Sequence, residues 1–206
     1  MSKEKFEEKE AANERQKRWE EIEASVESVA DKLGMPVDQK IKFPVAALIA
    51  NGFKTTMSCE GHLDHGAPWP WIDIESPLAA DIQKNRRYRL LDDTACLKDG
   101  WKSMSEKDKG EWNKFRDAIK DANNQEADRL RRILKEFYVE ADTGKKLDVS
   151  VVAWPVWRLE PAEFSSNESS IVDKWTPKKK KEALQPYQKE FKRFAEFLKE
   201  RFFSEK

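Results

Sequence analysis

A chain of 206 residues with 39 basic and 39 acidic side chains has no formal net charge, which excludes a whole-molecule field for nucleic acid. Hydrophobic and charged residues each make up 38%, and eleven Phe with eight Trp supply large apolar areas, so the chain reads as helix-rich and folded rather than disordered. Two cysteines make no disulfide framework, no apolar run approaches the ~20 residues that span a bilayer, and the N-terminus lacks a signal-peptide core. A cytoplasmic protein with reduced thiols and no membrane partner is expected.

Residues 1–18 are mostly charged and read as a solvated extension or the start of a helix, ahead of one domain over residues 19–206. Trp19, Ile22, Val26, Val29 and Leu33 recur at spacings of three and four, one face of a helix that Gly34 and Pro36 stop. A second helix is predicted over Asp38–Asn51, with Val45, Leu48 and Ile49 buried and Pro44 forcing a kink or a late start near Phe43. A Thr-rich strand over Phe53–Cys59 follows, then a loop with Gly61 and Gly66, then a strand from Trp69 or Trp71 to Glu75 that Pro77 closes. Between Asp81 and Cys96 only Arg86–Leu91 reads as helical.

Ser105 caps a long helix whose stripe is Trp112, Phe115, Ile119, Ala122, Leu130, Ile133, Leu134 and Phe137. Asp142 to Gly144 is a turn. Leu147–Leu159 is predicted as the third strand, with Pro155 marking an edge, a bulge or a break. After the polar run "SSNESS", Thr176 and Pro177 open a last helix with Phe191, Phe194, Leu198 and Phe202 on its face. The expected fold is α+β: a small antiparallel sheet of about three strands covered by several helices, with long N- and C-terminal helices.

The stretch Thr55–Ser76 holds both histidines and one of the cysteines. Cys59, His62 and His65 offer zinc one sulfur and two nitrogens, with Cys96 or Asp64 to complete a tetrahedron, but no second matching pair is present. A Cys–His dyad needs Cys59 as thiolate and a carboxylate such as Asp73 to orient the ring, whereas a lone strand cysteine is more often an inert core residue. Strand parity supports a ligand pocket instead. It sets Trp71, Asp73 and Glu75 on one face and Ile72 and Ile74 on the core side. Asp148, Ser150 and Trp154 share one parity on the third strand, so Trp154 is expected to flank the same surface. Glu60 and His62 are the candidates for direct contact or proton transfer, and Ser58, His65, Trp71, Asp73 and Glu75 for ligand binding, with Cys59 packed core-side beneath the loop. The bland alternative buries the tryptophans under a terminal helix and pairs the carboxylates with its lysines.

Lys178, Lys179, Lys180 and Lys181 at the start of the last helix oppose its macrodipole and offer a patch for nucleic-acid phosphates, although such runs are usually solvated faces.

The residues "GFKTTMSCEGH" and "PWPWIDIES", preceded by a short helix, resemble a motif of uncharacterised microbial and phage proteins. That motif reads Gly-aromatic-x-Thr-x-x-Ser/Cys-Cys-x-Gly-His, then a strand beginning Pro-Trp or Pro-Tyr. The resemblance covers about Val45 to Ser76 and implies a shared fold element with no activity attached. Thr55, Thr56, Ser58, Cys59 and Gly61 are also similar to the Thr-Thr-Ser-Ser-Cys-Ser-Gly-Arg strand of the wybutosine-synthesising tRNA methyltransferase family. Met57 and Glu60 depart from it, His62 replaces its arginine, and its other motifs have no match here, so the similarity implies at most a nucleotide-like ligand. The expected function is binding of a small polar or nucleotide-like ligand at the SCEGH loop. The rivals are a helical interaction or regulatory protein, such as a phage- or host-factor adaptor, and a zinc-supported fold.

Overall fold

Among the described residues four strands make the sheet, against the about three that the sequence predicts. The computed structural model describes residues 3–29, 36–140, 144–153, 156–164 and 175–204. Strands β1 (Lys54–Cys59), β2 (Trp71–Glu75), β3 (Leu147–Ala153) and β4 (Val156–Pro161) pair antiparallel in the order β1-β2-β4-β3. The span Leu147–Leu159, predicted as one strand, is therefore a hairpin. Ala153 pairs with Val156 at the closed end of the hairpin, and Pro155 lies outside the described residues. Trp154 lies outside the described residues, as do Leu33, Gly34, Asp142 and the "SSNESS" segment.

Helix α1 runs unbroken over Lys3–Ser28, across the expected boundary at residue 18. Helix α2 covers Lys42–Ala50, the later of the two starts that Pro44 allowed, since a proline in the first turn forfeits no intrahelical bond. That late start leaves Asp38 in a turn, its carbonyl accepting from the Ile41 amide at 3.1 Å. Pro77 opens a helix rather than only ending a strand: α3 (Pro77–Lys84) has Ser76 as N-cap, the Oγ accepting from the Ala79 amide at 3.4 Å. Asn85 then caps α4 (Arg86–Cys96). A short α5 (Gly100–Ser103) leads to α6 (Glu106–Glu140), where Ser105 Oγ accepts from the Asp108 amide at 3.1 Å as a cap should. A 3-10 turn, Ala162–Phe164, follows β4, and α7 (Pro177–Ser204) starts at the Thr176 cap.

Ile72, Ile74, Val149 and Leu159 on one side of the sheet are buried against Leu130, Ile133 and Phe137 of α6, Phe191, Phe194 and Leu198 of α7, and Leu48 of α2. Each such side chain contributes about 1.5–3 kcal/mol of burial. A smaller cluster, Ala79, Tyr88, Ile119 and Ala122, fixes α3 and α4 on α6. The helices thus fill one side of the sheet, as the parity of β2 predicted.

The other side is polar, and the register says who shares it. Directly opposed residues of an antiparallel pair project to the same face. Cys59 opposes Trp71, Met57 opposes Asp73, and Arg158 stands opposite both Asp73 and Ser150, with Asp148 opposite Glu160.

Candidate functional site

At the end of β1 the chain turns through Glu60 and Gly61. Gly61 has φ +83°, and a Cβ there would lie 2.6 Å from Leu184 Cδ1 and 2.7 Å from the Trp69 carbonyl carbon, so only glycine fits. Backbone groups tie the turn on three sides. The Glu60 amide donates to Asp38 Oδ2 (3.1 Å), the Lys40 amide donates to Glu60 Oε2 (2.8 Å), and Gln188 of α7 donates to the Glu60 carbonyl (3.0 Å). Within the loop, the Gly61 amide points at Cys59 Sγ (3.3 Å) and the His62 amide donates to the Ala67 carbonyl (3.0 Å).

These ties bring Asp38, Cys59 and His62 together. Each has one ligand atom within 4.8 Å of the others, all three are half-buried, and His62 Nε2 lies 3.5 Å from Asp38 Oδ2. The His62 ring stacks on His65 at a centroid distance of 4.1 Å. His65 is exposed, with Nδ1 2.8 Å from Asp64 Oδ1, and it joins His62 and Asp64 in a second, more exposed donor group. The trio named from sequence, Cys59, His62 and His65, is thus divided: His62 belongs to both groups, while Cys59 and His65 fall in different ones. Cys96 is exposed and belongs to neither.

The expected core-side position of Cys59 is overturned by the β1–β2 register. The thiol shares the polar face with Trp71 and is half-buried. Burial pushes its pKa up, as do the charges of Asp38 and Glu60, while the Gly61 amide and Arg158 oppose the shift. A thiol in that state is a poor nucleophile, which counts against the Cys59–His dyad. Ser58 opposes Ile72, which places it on the helix side of the sheet, away from Trp71. Glu60 spends one carboxylate oxygen on the Lys40 amide, so it holds the turn together.

On the polar face, Arg158 forks onto Asp73 (Nε–Oδ1 2.6 Å, Nη2–Oδ2 3.0 Å) and stacks its guanidinium 3.7 Å from the Trp71 ring centroid. Behind it Glu160 is buried and accepts from Ser150 Oγ. Desolvation raises its pKa, and the Ser150 bond and Arg158 offset this in part. Glu75 pairs with Lys54 at 2.6 Å. The bland reading is therefore right that the carboxylates are paired, although the partners come from the sheet and not from a terminal helix.

Asp38 and Arg158 do not stand out in the sequence. Asp38 reads there as a helix start, and Arg158 as the tail of a strand whose pairing was unknown. Asp64 lies below its usual carboxylate range, through its own backbone amide and His65.

In the first turn of α7, Lys178, Lys179 and Lys181 are exposed. Lys179 stands 4.4 Å over Trp175, and Lys178 pairs loosely with Glu182 at 3.9 Å. Two surface grooves lie away from the loop, one at Arg87 and Glu111, the other at Arg15, Arg18 and Arg129. Among the described residues no helix is long and apolar enough to cross a membrane. Compared with protein-family models, with curated proteins and with solved structures, the chain matches none.

Proposed function

We propose that the protein binds a small polar or nucleotide-like ligand at the end of the sheet where the Glu60–His65 loop meets Trp71 and Arg158. The observation that carries this reading is the register pair Cys59–Trp71. It sets the half-buried polar cluster of Asp38, Cys59 and His62 beside an aromatic ring and a guanidinium plane on one face. Aromatic and guanidinium planes stack on bases, and an imidazole beside a carboxylate can donate or accept at a ligand's polar edge. His62, with 26% of its side chain exposed, is the contact residue, and His65 flanks it by stacking. Glu60 positions the loop, and Asp73 holds Arg158 flat against Trp71.

Native mass spectrometry of the full chain purified from its own host tests this. A small-molecule adduct is expected on the wild type and not on His62→Ala, with the variant still folded and destabilised by no more than about 1 kcal/mol. Wild-type protein free of any adduct, or an adduct that His62→Ala retains, counts against the reading.

A further inference from the structure

We infer that Asp38, Cys59 and His62 form a site for a divalent transition-metal ion of the zinc class, with a fourth position left for water or another ligand. This goes beyond the ligand-binding reading and stands on donor geometry alone, whether or not a small organic molecule binds nearby. Zinc bonds of ~2.3 Å to sulfur and ~2.0–2.2 Å to nitrogen and oxygen, at tetrahedral angles, hold ligand atoms about 3.4–3.6 Å apart. His62 Nε2 and Asp38 Oδ2 are 3.5 Å apart. That separation is too long for a good hydrogen bond, whose range is about 2.7–3.2 Å, and it matches one edge of a zinc tetrahedron. Cys59 Sγ lies within 4.8 Å of a ligand atom of each of the other two residues.

The donors are aimed by contacts that do not belong to the ion. Asp38 Oδ2 accepts from the Glu60 amide at 3.1 Å, and Cys59 Sγ faces the Gly61 amide at 3.3 Å. Outer partners of this kind fix ligand orientation in metal sites. The ligand types choose the ion. One sulfur and one imidazole nitrogen favour zinc, cobalt or copper over magnesium and calcium, which take oxygen. The alternative group His62, Asp64 and His65 shares a ligand with this one, so a single ion cannot be served by both, and it lacks the sulfur and the burial.

The test is a cobalt(II) titration of the full-length, chelator-treated protein, followed by displacement with zinc. One equivalent of cobalt is expected to raise a near-ultraviolet thiolate-to-metal charge-transfer band with tetrahedral visible bands, and zinc to bleach both. Cys59→Ser removes the charge-transfer band. Asp38→Asn and His62→Ala weaken cobalt binding at least about tenfold, the lower bound for losing even an outer partner. Cys96→Ser leaves spectrum and affinity unchanged. Zinc raises the melting temperature of the wild type and not that of Cys59→Ser, which separates loss of the site from loss of the fold. A wild type without the band, a band that survives Cys59→Ser, or one abolished by Cys96→Ser overturns the inference.

Discussion

Gly61 and Gly66 both sit at positive φ in the same loop, yet they differ in what surrounds them. A Cβ at Gly66 meets nothing within 4 Å, whereas one at Gly61 drives into Leu184 and the Trp69 backbone. Gly66→Ala is expected to cost about 1–2 kcal/mol, the left-handed penalty alone. Gly61→Ala adds overpacking of a further 1–3 kcal/mol, for a total of roughly 2–5 kcal/mol. Urea denaturation of the two variants checks this, and equal losses would show that the Leu184 contact carries no weight. From sequence both glycines were legible as turn residues. Which of them is enclosed was not, because the enclosing side chain belongs to the last helix. The same limit hid Asp38, whose role depends on a turn closing against Glu60 from the far side of α2.

Between β2 and β4, the Asp73–Arg158 fork is the polar counterpart of the Ile72–Leu159 contact on the other face. The side chains are 7% and 20% exposed, so removing one partner strands a buried charge. Arg158→Leu is expected to cost about 3 kcal/mol or more. Asp73→Leu combined with Arg158→Leu should cost less than the sum of the two singles, with a coupling of roughly 1–3 kcal/mol. A double-mutant cycle measures it, and additivity within about 0.5 kcal/mol would mean that the fork is not coupled. The alternation of β2 was readable because a period of two shows within one strand. Its partner was not, because register between strands is a tertiary property, and the β3–β4 hairpin reads as one Val- and Trp-rich run. Helix α3 has a local signal, since Ser76-Pro77 carries the N-cap and first-position signature, but the same proline also reads as the end of the preceding strand.

Across the whole molecule, Trp19 is the largest of the side chains that join α1 to the core, with Val26 and Ile22 beside it. It is 1% exposed, lies 6.1 Å from the rings of Phe43 and Phe202, and has Lys199 over its face at 4.5 Å. Trp19→Ala is expected to destabilise by about 3–5 kcal/mol in thermal unfolding, and a loss below ~1 kcal/mol would show α1 to be dispensable to the core. The amphipathic faces of the long helices were legible, since heptad-like spacing needs no partner. Their assembly was not, which is why α7 reads from sequence as a terminal helix with an apolar stripe and nothing more. In the structure that helix also reaches the loop, through Leu184 against Gly61 and Gln188 on the Glu60 carbonyl. The two ends of the Gln188 bond are 128 positions apart along the chain. At about 5–20 residues per second on the ribosome, Gln188 is polymerised roughly 6–26 s after Glu60. During biosynthesis, then, Asp38, Cys59 and His62 all exist well before the helix that holds their loop in place.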